Sequence, residues 1–440
     1  MDVLIAFAVF IAVMTGCLIV NGPMLLPLAV GLICFYIVAL RKGFSFSQVG
    51  KMAGKGAKDS LVVIEVLMLI GLITALWRSA GTITFFVYYG IQIITPPMFL
   101  FITFVLACLL SYALGTSFGV AGTVGVIFMA LARSGGVSEI VTAGAVMSGV
   151  YFGDRGSPAS SSANLVAAVT HTRIYDNVRE MMKTGIVPLA LSAVIYLVLS
   201  IKHPITHVDD TILRALQSDF TINWWLVVPA LLMLVLPLLK VNVMIAMATS
   251  VISGAVVSVA VQGLSFWETC KFAVMGYSAQ SGSLGTILDG GGAVSMLEVC
   301  GIVFLSCSYS GIFSGTDMLG NIQQLLEKLM GRIGRFGTMV ITGLATTGIF
   351  CNQTIASIMC SDLLGKPYEA QGASKTELAI DIENSVIVTA GLMPWAIACT
   401  VPLGMLGVGV EALPYAVFLY LMPLCYMVTK RVWYKGGKTR

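Results

Sequence analysis

Stretches of about 17–20 apolar residues, the length an α-helix needs to cross roughly 30 Å of hydrocarbon, recur throughout this 440-residue chain. They fall near 3–20, 23–40, 60–77, 97–114, 119–132, 137–152, 158–170 and 185–201. They return near 222–239, 241–262, 293–310, 336–350, 353–364, 379–393, 394–409 and 413–429. With 58% hydrophobic and only 10% charged residues, the chain exceeds the apolar content of soluble domains and reads as an all-α integral membrane protein. The first stretch follows Met1 and Asp2 alone, with no basic leader and no small-residue cleavage site, and reads as the first span rather than a signal peptide.

The polar segment 202–221 separates two similar lists of spans, giving a first half at 1–201 and a second at 222–440. The loop 41–59 carries Arg41, Lys42, Lys51, Lys55 and Lys58 against Asp59. Its counterpart in the second half, within 263–298, carries Lys271 against Glu268, Asp289 and Glu298. Opposite bias in corresponding loops is the mark of repeats inserted in opposite orientations. Inversion requires an odd number of crossings per half. That is met by about ten transmembrane helices plus two re-entrant hairpins, 97–132 and 336–364, whose polar tips are "GTSFG" (115–119) and "CNQT" (351–354). Both termini then lie in the cytoplasm, the C-terminal one in the basic run 430–440, and a cell (inner) membrane is implied. Segments 78–96 and 311–335 read as interfacial helices.

Irregular backbone at membrane depth survives only where it is buried in protein or lines a water-filled cavity. The stretch "YFGDRGSPASSSANLVA" (151–167) therefore reads as a helix deliberately broken by Gly153, Gly156 and Pro158. Asp154 is the leading ion ligand, because intramembrane acids are rare and mark ion or proton pathways. Its plainer roles are pairing with Arg155 or capping the next helix. Ser157, Ser160, Ser161, Ser162 and Asn164 add neutral oxygens suited to a hard monovalent cation, and Na+ is expected around Asp154. The second break, 381–395, offers Glu383, Asn384 and Thr389, with Asp381 nearer the cytoplasm and more solvated and Trp395 as a packing anchor. Arg155 and the hairpin tips (Thr116 and Ser117; Asn352, Gln353 and Thr354) are candidates to hold a small organic acid. Glu65, Asp289, Glu298 and Asp317 read as relay or interfacial acids of lower rank.

Ten scattered Cys form no CxxC or Cys/His cluster, so buried free thiols are expected. There is no Walker A motif, which argues against ATP-driven transport. Nothing indicates a catalytic residue, an organic cofactor or a nucleic-acid partner. The partners expected are the bilayer and small ions or a small organic acid.

Through Gly153, Asp154, Arg155, Ser157, Pro158, Ser160, Asn164 and Leu165 the sequence resembles the NhaC family of Na+/H+ antiporters. Its segment "ENSVIVTAGLMPWAIAC" (383–399) resembles that family's second signature through Glu383, Val388, Thr389, Leu392, Pro394 and Trp395. The resemblance implies a secondary active transporter with Na+ and H+ as coupling ions, an inverted-repeat fold working by alternating access of the elevator type, and commonly a dimer. Two family acids are absent here, replaced by Ser161 and Asn384. That departure supports the alternative of a Na+- or H+-coupled carrier of a small amino acid or organic acid.

Overall fold

The computed structural model describes residues 2–20, 22–23, 25–93, 96–202, 210–239, 241–279, 284–285, 288–316 and 322–433. Among them the chain is almost wholly helical, with one antiparallel bridge, Tyr277 to Gly290, and no strand. Six helical segments are long and apolar enough to cross a bilayer: Phe46–Ser79, Ser117–Ser134, Ile174–Lys202, Val243–Ala260, Ala293–Phe313 and Leu326–Phe350. Shorter apolar helices lie at Ile5–Cys17, Leu25–Arg41, Phe99–Leu114, Trp224–Pro237, Ile397–Leu406 and Val417–Lys430. Exposed Ile33, Ile186, Val194, Ile252 and Val256 give these helices the apolar outer faces that lipid requires.

The basic segment 41–59, read from sequence as a loop, is helical from Phe46 onward: Phe46–Ser79 runs for 34 residues. Ser45 and Gln48 form a capping box, which sets the start. The glycines that suggested a loop serve close packing. A Cβ on Gly56 would fall onto the Cys307 carbonyl, and one on Gly311 onto the Met52 carbonyl, so this helix and Leu297–Thr316 cross backbone to backbone. Within 78–96, Thr82–Ile93 is a helix of 12 residues that packs on Val126–Ser134. The expectation for 311–335 changes. Residues 311–316 continue the Leu297–Thr316 helix, and Ile322–Phe350 bends at Gly334, whose φ is 80°.

Helix breaks occur at both polar tips. Phe99–Leu114 ends at left-handed Gly115 (φ 67°), and the chain restarts as a helix at Ser117 beneath the Thr116 cap. Ile322–Phe350 ends before Cys351 (φ 52°), and Gln353–Ala370 restarts beneath the Asn352 cap. Gln353–Ala370 folds back along Ile322–Phe350, whereas Phe99–Leu114 packs chiefly on Glu139–Gly156, with Gly149 and Gly153 at the crossing.

Two further breaks follow. Glu139–Gly156 stops where Pro158 forces Ser157 into an extended conformation (φ −87°, ψ 137°), and Ser161–Val169 restarts beneath Ser160. Lys375–Ile382 runs through a π-turn at Glu383–Ile387 to Ala390, breaks around Pro394 and restarts as Ile397–Leu406.

Candidate functional site

The restarts after all four breaks open onto one cavity of about 250 Å³. Its wall holds Thr116, Ser117 and Phe118 from the first tip and Asn352, Gln353 and Thr354 from the second. Ser161 and Ser162 come from the first broken helix, Ile397 and Ala398 from the second, and Val63 and Val66 from the long Phe46–Ser79 helix. Among the described residues, Asp154 is the only charged one in this lining.

Asp154 ends the last full turn before Pro158, so its carboxylate points into the gap left by the break. There it is buried and accepts from Ser160 Oγ at 3.2 Å, Ser162 Oγ at 3.2 Å and Gln353 Nε2 at 3.1 Å. Gln353 Nε2 also donates to Ser162 Oγ at 3.4 Å. The second tip and the first broken helix thus meet at one carboxylate. The caps leave the helix starts well satisfied: Thr116 accepts from Gly119 N, Ser160 from Ser162 N and Ala163 N, and Asn352 from Thr354 N and Ile355 N. Ile397 N donates instead to Cys351 O at 2.8 Å, tying the second broken helix to the second tip.

Several sequence candidates are turned elsewhere. Ser157 Oγ donates to Tyr112 O at 2.6 Å. The Asn164 amide donates to Pro158 O at 2.9 Å and Ser160 O at 2.7 Å, so it stiffens the break rather than facing the cavity. Thr389 Oγ1 donates to Ser385 O at 2.8 Å.

Arg155 is absent from the cavity wall. It is fully buried, donates to Asn384 Oδ1 at 2.8 Å and to Met181 O, and lies 6.0 Å from the Phe418 ring centroid. Asn384 in turn donates to Thr184 Oγ1 at 3.2 Å. Glu383 is also fully buried; neither carboxylate oxygen has a hydrogen-bond partner among the described residues, and its charged neighbours are Arg155 and Asp154.

Asp381, expected to be solvated, is fully buried. It accepts from Tyr368 Oη at 2.8 Å, Tyr426 Oη at 3.0 Å and Lys430 Nζ, because the final helix lays its basic end across the start of the second broken helix. Glu65, Asp289 and Glu298 are exposed, and Asp317 lies outside the described residues. Trp395 Nε1 donates to Gly348 O at 2.9 Å, a packing contact. Val63, Val66, Phe118, Ile397 and Ala398 escaped sequence reasoning, because an apolar residue lining a cavity has the same pattern as one in a core.

A helical membrane-type fold with broken helices gathered at a buried carboxylate belongs to the class of secondary transporters. Residues 1–163 and 149–430 match the Na+/H+ antiporter family, and the chain belongs to that family. It is 26% identical over 455 residues to the malate-2H+/Na+-lactate antiporter of Bacillus subtilis, covering 100% of this chain and 96% of the relative. It is 27% identical over 381 residues to the Na+/H+ antiporter NhaC of Alkalihalophilus pseudofirmus, covering 84% and 81%. It is 28% identical over 392 residues to the arginine/ornithine antiporter ArcD of Halobacterium salinarum, covering 85% and 80%.

Proposed function

We propose that this protein exchanges Na+ for H+ across a cell membrane, with Asp154 as the group that carries either ion. The supporting observation is that the buried Asp154 is, among the described residues, the single charged one in a cavity otherwise lined by neutral oxygens and apolar side chains. With Na+ bound, the Ser160 and Ser162 hydroxyls rotate and present lone pairs to the ion, and the Gln353 and Asn352 carbonyls are within the same wall. With H+ bound, the carboxylic acid keeps hydrogen bonds to the same hydroxyls. A single carboxylate cannot hold both ions, and that competition makes transport an exchange. Arg155 is turned away from this wall, so Asp154 supplies the charge there that draws the cation.

In this reading the two tips are re-entrant, the halves 1–201 and 222–440 are inverted repeats, and both termini face the cytoplasm. The unit of tips and broken helices moves as an elevator in each subunit of a homodimer. The opposite charge of the 41–59 and 263–298 segments supports the inversion. The test is dissipation of an imposed pH gradient by added Na+ in proteoliposomes. If Na+ leaves the gradient intact, the exchange reading is wrong.

A second reading, carriage of a small organic or amino acid with the cation, is favoured by cavity size. About 250 Å³ is far more than a bare ion fills. The carboxylate would then meet the helix starts at Ser161 and Gln353 rather than Arg155, which is absent from the cavity wall and donates to Asn384 Oδ1 and Met181 O. Uptake of labelled monocarboxylates, dicarboxylates and basic amino acids driven by a Na+ gradient distinguishes the two.

A further inference from the structure

The wall of the Asp154 cavity is chemically lopsided. Asp154 and Ser162 of the first broken helix and Gln353 of the second tip, which hydrogen-bond one another, form its polar centre. Val63, Val66, Phe118, Ile397 and Ala398 supply an apolar part, from the Phe46–Ser79 helix, the first tip and the second broken helix. The asymmetry follows a spacing internal to the chain. Ser117–Ser134 and Gln353–Ala370, the helices that restart at the two tips, begin and end 236 residues apart. Ser161–Val169 and Ile397–Leu406, which restart after the two breaks, begin at that same spacing. At this spacing Asp154 corresponds to Ala390, Ser160 to Ala396, Ser161 to Ile397 and Ser162 to Ala398. One half brings a carboxylate and hydroxyls where the other brings hydrocarbon.

A bare hard cation is held by oxygens, so the apolar part of the wall has no role in binding one. The cavity, at about 250 Å³, has room for several waters at about 30 Å³ each. Among the described residues its lining holds no Lys, Arg or His to receive an anion. The complement of one carboxylate, neutral oxygens and an apolar wall is a monocation that carries a short hydrocarbon chain. A primary ammonium group has three N–H donors, for which the two Asp154 oxygens and Ser162 Oγ are acceptors in the same wall. The chain behind it gains by leaving water. We infer that small primary alkylammonium ions are ligands of this site, with the ammonium group in the place of Na+ at Asp154 and the chain against Val63, Val66, Phe118, Ile397 and Ala398. The inference rests on the reading of Asp154 as the cation-carrying group.

Calorimetric titration of the purified protein in detergent at neutral pH, where primary amines are protonated, tests this. The ligands are methyl-, ethyl-, n-propyl- and n-butylammonium, with Na+ and butyrate titrated separately. Affinity for the ammonium series is expected to rise roughly fourfold per methylene, and Asp154→Asn is expected to abolish it, which also separates binding from partition into micelles. Val63→Thr combined with Val66→Thr keeps the shape of the wall, replaces methyls by hydroxyls and should flatten the gradient with chain length. Affinity in wild type that does not change with chain length, or no binding of any of the four ions, overturns the inference and leaves the apolar wall as a seal around a bare ion. Binding that survives in Asp154→Asn places the ions elsewhere and also overturns it. Butyrate binding without butylammonium binding overturns it in favour of an anionic cargo. The wild-type series needs no variant, so a substitution that prevents folding does not decide the matter. If the series binds as expected while Na+ neither binds nor drives proton flux, the exchange reading alone fails; if Na+ binds beside a flat series, this inference alone fails.

Discussion

Gln353 Nε2 donates a 3.1 Å hydrogen bond to Asp154 Oδ2, joining residues 199 positions apart at the centre of the cavity. This bond couples the second polar tip to the carboxylate of the first broken helix. A hydrogen bond to a charged group contributes about 1.5–3 kcal/mol, so Gln353→Ala is expected to weaken half-saturation by Na+ by roughly tenfold or more. Sodium-dependent proton flux against Na+ concentration measures it, and an unchanged half-saturation contradicts the assignment.

Arg155 is a framework cation in this account. Removing it leaves the buried Asn384 Oδ1 and Met181 O without that donor, at about 1–3 kcal/mol for each acceptor left unsatisfied, so Arg155→Ala should lower thermal stability in detergent, with Arg155→Lys intermediate. Gly185→Ala should reproduce part of the loss, because its new Cβ would fall 2.5 Å from Arg155 Nη2. A stable Arg155→Ala protein that lost only organic-acid uptake would instead make Arg155 a substrate ligand.

The Gly153 position faces the Ser111 and Tyr112 backbone with no room for a Cβ. Overpacking of this kind costs about 1–3 kcal/mol or more. Gly153→Ala is expected to separate Glu139–Gly156 from Phe99–Leu114 and shift Asp154, one residue on. Thermal melting and Na+ half-saturation should both worsen, whereas Gly54→Ala, in open space, should leave both unchanged.

Lys430 holds the final helix to the second broken helix through Asp381 and through Glu377 at 2.9 Å, inside a ring of Phe336, Tyr368 and Tyr426. Its side chain is 13% exposed, against 30% for Arg335, which shares Glu377. Lys430→Met should therefore cost more stability than Arg335→Met, by about 2 kcal/mol or more on the burial difference. Equal melting temperatures for the two variants would contradict this.

The sequence displayed the membrane class, the Pro158 break and Asp154 clearly, because hydropathy, proline and a lone acid each act through local physics. The tips were legible for the same reason: Gly115 and the Asn352 cap are local signals. What was hidden depends on the direction of side chains around a helix. Arg155 and Asp154 are adjacent in the chain, yet one enters the cavity wall and the other turns toward Met181 and Asn384. Asp381 looked solvated because Lys430, its partner, lies 49 residues away. The helical start at Phe46 was available in the Ser45–Gln48 spacing but was masked by glycines whose use, contact with Leu297–Thr316, is tertiary.

The claim that one carboxylate serves both ions is tested most directly by proton release on Na+ binding. Purified wild-type protein in weakly buffered detergent solution should release protons when Na+ is added at a pH where Asp154 is protonated, in proportion to the Na+ bound. Asp154→Asn should bind little Na+ and release none. Sodium binding that is undiminished in Asp154→Asn, or that releases no protons from wild type at any pH, would contradict the account.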